Sequence, residues 1–303
     1  MTELRHAEVA DDEMLSRAKQ VLEVSRLIIE GIVEHPANRH GRARALGRFV
    51  GWQAWQRVAK KPITIDAFDG MKLRVHPHST SATGVLYNRL PDFAEMSFLQ
   101  RVLRPGDAFL DVGANVGIYT LFAASRIGRD GTIIAVEPGA EARERLEENV
   151  ALNHLSGVRI CGVAVGSSPG ELVMSDDGTT TNHVLSASER SGRRVEVATL
   201  DALCEGTSPI AAKMDIEGFE LEALRGAGRL LADKRPAAWI LESNHCAARY
   251  DVSRADLVGL IEGAGGSVHQ YDPDTGRLRG VRDDDKNILA ILDRETIDRR
   301  LGG

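Results

Sequence analysis

Residues 109–117 read Phe109-Leu110-Asp111-Val112-Gly113-Ala114-Asn115-Val116-Gly117. The apolar start of this stretch leads into a glycine turn and then into a periodic apolar pattern, which predicts a strand, a tight turn and a helix. A second apolar run over residues 132–136 ends at Glu137. Strand patterns that alternate with helix patterns in this way predict an open, mostly parallel α/β sheet.

The glycine turn and Glu137 together predict a nucleoside site. A glycine turn lets the backbone approach a ligand, and a carboxylate after the next strand accepts hydrogen bonds from ribose hydroxyls. Asn115 stands where the dinucleotide fingerprint G-x-G-x-x-G needs its second glycine, which lets the backbone approach a pyrophosphate. The pattern therefore favours an adenosine ligand without a pyrophosphate, commonly S-adenosylmethionine, over a nicotinamide cofactor.

Length, charge and cysteine content narrow the functional class. The 303 residues suffice for one large domain or two small ones. The net charge of -6 argues against binding nucleic acid through bulk charge. The widely spaced Cys161, Cys204 and Cys246 form no C-x-x-C pair, which disfavours a zinc ribbon or a disulfide framework. The sequence shows neither a signal-peptide pattern nor the ~18 apolar residues of a membrane span, so the expected location is the cytoplasm.

The chain is expected to have three parts. Residues 1–61 form a helical N-terminal extension, residues 62–92 a β-hairpin and a loop, and residues 93–303 the main domain. The extension contains an amphipathic pattern over 12–34 and a second helical pattern over 39–61, where basic residues alternate with aromatic ones. The second pattern is interpreted as a solvated face over packed tryptophans, a lid, a dimer surface, or a patch for an acidic substrate or a membrane surface. The oligomeric state stays open.

Alternating apolar residues around Asp69-Gly70 predict the hairpin, and Thr80–Gly84 are expected in the loop. In the main domain, a helix over 218–231 precedes the strand that ends at Glu242. The final two strand patterns are too close for a helical crossover, so they predict an antiparallel edge hairpin with an acidic loop over 272–287. The predicted strands of the main domain are 108–112, 132–136, 158–164, 171–175, 194–198, 210–214, 238–242, 267–271 and 287–292.

Acidic residues cluster after the predicted core strands, at Glu137, Asp215–Gly218 and Glu242–His245. Ligands of open α/β sheets bind beyond the carboxyl ends of the strands. Neighbouring carboxylates are unfavourable unless a positive group compensates them, and a sulfonium ligand with an ammonium group would do so. For Asp215, the alternative is an N-cap of a helix that begins at Gly218.

The order of these motifs resembles the FkbM family of S-adenosylmethionine-dependent methyltransferases. The resemblance spans about residues 93–292 and implies a class I methyltransferase fold, Rossmann-like and doubly wound. It also implies O-methylation of a sugar, glycolipid or polyketide-type secondary metabolite. The matching pieces are Pro105-Gly106-Asp107, Leu110–Thr120, Val136-Glu137-Pro138, Asn149–Asn153, Thr199–Leu203, Lys213–Glu220, Leu224–Ala227 and Leu241-Glu242.

The resemblance assigns candidate roles in cofactor binding. Glu137 is expected to bind the ribose hydroxyls, and Asp111 to organise the turn or to receive the ligand's amino group. Thr120 is a candidate for the ligand's carboxylate, with a plain helix residue as the alternative. Glu95 is either a supporting acid or a solvated helix acid. The remaining candidates are Gly113, Ala114 and Asn115 beside the methionine portion, Pro138, Ala164 near the adenine, and Asp215.

Transfer to a hydroxyl calls for a base near the methyl group. The candidates are Asp215, Glu217, Glu242 and His245, although Glu217 is alternatively a structural partner of Lys213. A Mg²⁺ site is not favoured; its oxygen ligands would be Asp215, Glu242 and Asn244. Two other functions stay open: a nicotinamide-dependent oxidoreductase, and a non-catalytic cofactor-binding module that recruits a partner through the N-terminal helices.

Overall fold

The computed structural model describes residues 26–77, 79–175, 192–243 and 252–302. The chain divides into two compact units. The first contains the described residues up to Lys61 together with Thr83–Pro91, and the second contains Pro62–Ala82 with Asp92–Gly303. None of the helices in the described ranges is long and apolar enough to cross a membrane.

The first unit contains the helical segment 26–34 (α1), a 3-10 turn over Pro36–Asn38 and the helix Arg42–Val58 (α2). The buried side of α2 presents Ala45, Phe49 and Trp52, which follow the spacing of one helix face. The helix predicted over 12–34 is confirmed for residues 26–34, and its earlier part lies outside the described residues.

A helix replaces the loop predicted over Thr80–Gly84. Residues Thr80–Asn88 form α3, in which Val85, Leu86 and Tyr87 are buried. The prediction is wrong because burial of these side chains outweighs the turn preference of the preceding serine, threonine and glycine residues.

The described residues of the second unit form a central sheet of eight strands, which are β3 (Ala108–Val112), β4 (Thr132–Val136), β5 (Val158–Cys161), β9 (Ala211–Met214), β10 (Ala238–Glu242), β11 (Ser267–Asp272), β12 (Arg277–Arg279) and β13 (Asn287–Ile291). Their order in the sheet is β12-β11-β13-β10-β9-β3-β4-β5. Two further sheets contain β1 (Ile63–Asp66) with β2 (Lys72–Val75), and β6 (Ala164–Val165) with β7 (Gly170–Met174) and β8 (Arg193–Ala198).

Strands β10, β9, β3, β4 and β5 are parallel neighbours, and β13, β11 and β12 continue the sheet in antiparallel pairing. The chain runs from β3 outward to β5 and then returns to β9 on the other side of β3. Such a reversal places crossover helices on both faces of the sheet. The structure therefore confirms the doubly wound, mostly parallel sheet with an antiparallel C-terminal edge.

The helices of the second unit connect these strands. They are α4 (Phe93–Val102), α5 (Ile118–Ile127), α6 (Ala140–Leu152), α7 (Leu200–Leu203), α8 (Glu220–Arg225), α9 (Gly228–Ala232), α10 (Arg254–Gly263) and α11 (Arg294–Leu301). The core strands are buried along almost their whole length, which explains why they are mainly apolar, with Asp111 in β3 and Lys213 in β9 as buried exceptions. The hairpin predicted around Asp69-Gly70 is confirmed, since β1 and β2 pair in antiparallel register.

Two predicted elements are interrupted. The strand predicted over 158–164 ends at Cys161, and Ala164 belongs to a different sheet. The helix predicted over 218–231 is divided at Gly226, where a Cβ would lie 2.1 Å from the Gly166 carbonyl oxygen. The Asp201 carboxylate then accepts hydrogen bonds from the first N–H groups of α9, so the chain starts a new helix there.

Two elements near the C-terminus are absent from the sequence prediction. Strand β12 lies within the predicted acidic loop and forms the true edge beside β11. Helix α11 follows Asp293, whose side chain accepts a 3.0 Å hydrogen bond from the Thr296 N–H as an N-cap. Only Ile297 of α11 is buried, which explains why the apolar pattern does not reveal this helix.

Candidate active site

The sheet brings four acidic residues to the carboxyl ends of neighbouring parallel strands. Asp111 lies in β3, Glu137 follows β4, Asp215 follows β9 and Glu242 ends β10. The strands are consecutive in the order β10-β9-β3-β4, and the order in which the chain adds strands to the sheet reverses between β3 and β9, which are parallel. The prediction that Glu137, Asp215 and Glu242 follow strands whose carboxyl ends lie side by side is confirmed, and ligands of such sheets bind at these ends.

The glycine turn after β3 is packed against the end of β9. Gly113 has φ +78°, and a Cβ on it would lie 1.9 Å from the Asp215 carbonyl oxygen. Gly117 has φ +93° and leaves room for the Leu146 side chain, which would lie 2.7 Å from a Cβ. Both positions therefore need glycine for backbone conformation and for space.

The carboxylate of Glu137 fastens this turn to the loop after β4. Its Oε2 accepts a 2.8 Å hydrogen bond from the Asn115 N–H, and its Oε1 accepts a 2.7 Å bond from the Gly139 N–H. Burial raises the pKa of Glu137, and the two backbone bonds oppose that rise. Each carboxylate oxygen has a second acceptor position, so the group can hold the turn and bind a hydroxyl as well.

The next residue, Pro138, contributes its backbone to the same loop. Its carbonyl oxygen accepts hydrogen bonds from Arg143 Nη1 at 3.0 Å and from Arg193 Nη2 at 2.5 Å. The arginine from β8 thereby ties the small sheet to the loop beside Glu137.

Asn149 supports the turn from below, a role that the sequence analysis misses. Its Nδ2 donates a 2.9 Å hydrogen bond to the Val116 carbonyl oxygen, and its Oδ1 accepts a 2.8 Å bond from the Arg74 N–H. Asn153, one helical turn later, bonds to both the N–H and the carbonyl of Lys72. The spacing of two asparagines on one face of α6 is the available sequence signal.

Asp111, near the carboxyl end of β3, and Thr120, in α5, are both buried. Asp111 is 1% exposed and Thr120 is 0% exposed. The Thr120 hydroxyl donates a 2.5 Å hydrogen bond to Asp111 Oδ2. Burial raises the pKa of Asp111 to about 7, against the hydrogen bond from Thr120 and the charge of Lys213. The geometry gives both side chains a role in organising the turn.

Lys213 places a buried positive charge among these acids. Its side chain is 2% exposed, and Nζ lies 3.4 Å from Asp215 Oδ2. Burial lowers the pKa of Lys213, but neighbouring carboxylates, Asp215 first among them, raise it above its ordinary value. The ammonium group is therefore charged, and its ion-pair partner in the structure is Asp215.

Asp215 and Glu242 form a carboxyl pair that shares a hydrogen bond. Burial and the charge of Asp215 raise the pKa of Glu242 to about 9. Burial also acts against ionisation of Asp215, but the charge of Lys213 and the bond from Glu242 outweigh it and lower the pKa of Asp215. At neutral pH, the pair thus holds one proton that the two carboxyl groups share.

Asp215 does not cap the following helix. Helix α8 begins at Glu220, whose Oε1 accepts bonds from the N–H groups of Ile216 at 3.0 Å and Gly218 at 3.3 Å. The Asp215 side chain is 43% exposed, so an external molecule can reach it. The structure therefore disfavours the N-cap alternative and leaves an ionised carboxylate open at the strand end.

Glu95 is connected to Lys213 through the side chain of Asn287 in the antiparallel strand β13. It is 7% exposed, and its Oε1 accepts 3.2 Å hydrogen bonds from Gln270 Nε2 and Asn287 Nδ2. The Oδ1 of the same Asn287 accepts a 3.2 Å bond from Lys213 Nζ. The alternative of a solvated helix acid is wrong, because burial and two amide donors hold the Glu95 carboxylate.

Other predicted site residues are placed differently. Ala164 packs in a separate apolar cluster of the small sheet instead of ending a core strand. Glu217 has φ +56°, and its charge helps to raise the pKa of Glu242. His245 and Asn244 lie outside the described residues. Within the described ranges, no group of three or more histidine, cysteine, aspartate or glutamate residues is arranged to hold a metal ion.

Comparisons with known proteins point to one family. A family model for the methyltransferase FkbM domain matches residues 111–272. The chain is 39% identical over 70 residues to the AMB antimetabolite synthetase AmbE of Pseudomonas aeruginosa, and this match covers 23% of this chain and 3% of that protein. It is 27% identical over 124 residues to the hexuronic acid methyltransferase AglP of Haloferax volcanii, and this match covers 40% of this chain and 49% of that protein. The chain thus spans about half the length of AglP.

Among solved structures, the chain is similar to a crystal structure of methyltransferase FkbM from Methylobacillus flagellatus KT. The two are 16% identical with a TM-score of 0.42, and the match covers 82% of this chain and 60% of that chain.

Proposed function

The chain belongs to the FkbM methyltransferase family, and from this premise we propose that it methylates a hydroxyl group with S-adenosylmethionine as the donor. The proposed acceptor is a sugar, glycolipid or polyketide-type metabolite. The chain has the class I methyltransferase fold, with the mostly parallel sheet described above. The observation that carries the proposed hydroxyl chemistry is the ionised, half-exposed carboxylate of Asp215 beside the glycine turn.

The residues of the turn fit the proposed cofactor. Gly113 and Asn115 present backbone without a bulky side chain between them, and the second acceptor positions of Glu137 suit ribose hydroxyls. When bound, the cofactor supplies a methyl group on a positively charged sulfur. A cationic ligand is favoured at an edge where Asp215 and Glu137 bring negative charge.

The chain's own contribution to transfer is positioning and proton acceptance. Asp215 is fixed by Lys213 and by Glu242, so its orientation is set before an acceptor arrives. An acceptor hydroxyl that donates its hydrogen bond to Asp215 has an oxygen lone pair free to attack. The hydroxyl proton passes to the Asp215–Glu242 pair as the oxygen loses it, and then to solvent.

The sugar class of acceptor is supported by the similarity to AglP, a hexuronic acid methyltransferase. The segments that would select the acceptor are residues 171–198 and 272–287, because they lie outside the motifs that the chain shares with the FkbM family. The first contains most of β7 and all of β8, the second contains β12, and none of these strands belongs to the parallel part of the central sheet.

Two measurements on the full chain test the proposal. Titration calorimetry with S-adenosylhomocysteine measures cofactor binding, and transfer of a labelled methyl group to a panel of uronic acids, neutral sugars and polyketide alcohols measures activity, each with and without Mg²⁺. Asp215→Asn is expected to keep S-adenosylhomocysteine binding and to lose about 100-fold or more of the transfer rate. The control is Glu262→Gln, an exposed glutamate of α10, which should behave as wild type.

The outcomes separate the parts of the proposal. Binding of a nicotinamide dinucleotide in place of S-adenosylhomocysteine would overturn the cofactor assignment. Full activity of Asp215→Asn would overturn the role of this carboxylate. A strict Mg²⁺ requirement would contradict a proton shared between Asp215 and Glu242, since the cation would take its place.

A further inference from the structure

We propose that the outward face of α2 binds the surface of an anionic phospholipid bilayer. The face belongs to the first unit, and none of its residues is part of the candidate active site. The outward face consists of the exposed residues Val50, Trp55, Val58, Arg44 and Arg57 of α2, together with Lys60 and Lys61, which follow the end of the helix.

Positive charge is concentrated in this part of the sequence. Residues 35–61 contain seven lysine and arginine residues and no aspartate or glutamate. The whole chain has a net charge of -6, so the other residues together carry -13, which is -6 minus 7. A positive segment in an otherwise acidic chain indicates a site for a negatively charged partner.

The same face exposes large apolar side chains. Val50 is 64% exposed, Trp55 45% and Val58 86%. Val50 and Val58 are two helical turns apart and lie on one side of α2, with the exposed Ala54 between them. An exposed apolar row with basic residues beside it is typical of helices that lie in a membrane interface.

Trp55 has the geometry of an interfacial anchor. Its indole N–H donates a 3.0 Å hydrogen bond to the Lys61 carbonyl oxygen, so the polar edge of the ring is satisfied by the chain itself. The exposed 45% of Trp55 is accessible to an apolar layer, and tryptophan is enriched at membrane interfaces because its ring is amphipathic.

The internal packing of the first unit does not use this face. The opposite side of α2 buries Phe49 and Trp52, and Phe49 contacts the Tyr87 ring edge-on at 5.3 Å. Arg48 points to that side as well, because it donates to the carbonyl oxygens of Leu86 at 2.6 Å and Tyr87 at 2.7 Å. On the outward face, Arg57 donates instead to the backbone carbonyl and the side-chain oxygen of Gln53, one helical turn earlier in α2.

Charge and hydrophobicity together favour a bilayer over other partners. In a symmetric dimer through this face, each basic group would approach the same basic groups of the second copy, which is unfavourable. A nucleic acid would neutralise the arginines and lysines but would leave Val50 and Val58 in water. An anionic bilayer satisfies both, with headgroups for the basic residues and the acyl boundary for the apolar ones.

Sedimentation of the full chain with vesicles tests this proposal. The vesicles are phosphatidylcholine alone or a mixture of phosphatidylcholine and phosphatidylglycerol. The triple variant Arg57→Gln/Lys60→Gln/Lys61→Gln is expected to bind the mixed vesicles about 100-fold more weakly than wild type, because each basic residue near an anionic surface adds several-fold to the affinity. Val50→Ser/Val58→Ser is expected to weaken binding at high salt, where the apolar contribution dominates.

Matched controls separate the face from bulk charge and bulk hydrophobicity. Arg129→Gln/Arg294→Gln/Arg299→Gln removes the same charge from exposed positions of the second unit, and Val173→Ser removes an exposed valine there. Both controls should bind vesicles as wild type does, and all variants should keep S-adenosylhomocysteine binding.

Four results would overturn the proposal. They are equal weakening by the two triple variants, equal binding to both kinds of vesicle, absence of vesicle binding, and vesicle binding unchanged in Val50→Ser/Val58→Ser at high salt. Where vesicle binding is absent, light scattering and a nucleic-acid titration of the same proteins show whether a second copy or a nucleic acid occupies the face instead.

Discussion

The carboxylate of Glu137 has a structural role that does not depend on a ligand. It accepts one backbone N–H bond on each oxygen, from Asn115 and from Gly139, and so joins the loops after β3 and β4. An amide at this position would turn one N–H toward a backbone N–H, and that donor would lose its acceptor.

Glu137→Gln is therefore expected to lower the free energy of unfolding by about 1–3 kcal/mol in the absence of any ligand. Urea denaturation measures this, and Glu141→Gln on the exposed side of α6 is the control. If Glu137→Gln unfolds like wild type but fails to bind S-adenosylhomocysteine, the carboxylate serves the ligand alone.

The shared proton of Asp215 and Glu242 makes stability depend on pH. In the folded chain, the pKa of Glu242 is raised from 4.5 to about 9. Between these values the native state holds a proton that the unfolded chain releases, so the free energy of unfolding falls as pH rises through this range. Asp215 acts in the opposite direction, but below its ordinary pKa of 3.8.

Glu242→Gln is expected to remove this part of the decline, so its stability advantage over wild type should grow steadily from pH 4.5 to about 9. Urea denaturation at a series of pH values measures the difference. Asp111 contributes a decline of the same sign up to about pH 7, which cancels because both proteins contain it. A constant difference across the range would show that Glu242 is already ionised in the folded chain.

At the scale of elements, two glycines in the second unit show different reasons for a glycine: steric fit in one case and no steric need in the other. Gly113 has φ +78°, and a Cβ there would lie 1.9 Å from the Asp215 carbonyl oxygen. Gly259 lies on the exposed side of α10, and a Cβ there would meet nothing within 4 Å. The same substitution therefore has opposite expected effects.

Gly113→Ala is expected to destabilise the chain by more than the ~1–2 kcal/mol of left-handed backbone strain, because β9 must also move. Gly259→Ala is expected to stabilise it by about 0.5–1 kcal/mol through helix propensity. Urea midpoints of the two variants measure both effects. Destabilisation of similar size in both would contradict the close contact between the turn and β9.

The sequence predicts elements well where burial is continuous. Strands β3, β4, β9 and β10 are mainly apolar and end at acids or glycines, so their positions and the alignment of their carboxyl ends follow from pattern alone. Helix α11 and strand β12 bury few side chains and leave no such pattern. The break after Cys161 and the division at Gly226 depend on contacts with distant segments, which the local sequence does not contain.

The candidate site shows the same limit. Glu137 and Asp215 are predictable because strand ends are predictable. The roles of Asn149 and Asn287 are not, since each links elements far apart in the chain: Asn149 joins the glycine turn to β2, and Asn287 joins Lys213 to Glu95.

At the scale of the whole molecule, ligand binding and unfolding are coupled. S-adenosylhomocysteine at a hundred times its dissociation constant is expected to add about 2.7 kcal/mol to the stability of the second unit. This corresponds to a rise of roughly 5–10 °C in its unfolding midpoint. Scanning calorimetry of the full chain measures the shift, with a nicotinamide dinucleotide as the control ligand. An equal shift with the dinucleotide would contradict the inference from Asn115, at the second glycine position of the fingerprint, that the turn does not suit a pyrophosphate.

Glu137 and the Asp215–Glu242 pair should differ in how often inactive relatives retain them. Glu137 stabilises the fold, so a relative that has lost catalysis would still retain it, and its presence says little about whether a chain is an active enzyme. The protonated Glu242 beside Asp215 costs stability at neutral pH, and selection for folding alone would discard it. On the proposed mechanism, a relative keeps this pair for proton transfer, so the pair is a better marker of active enzymes than Glu137 is.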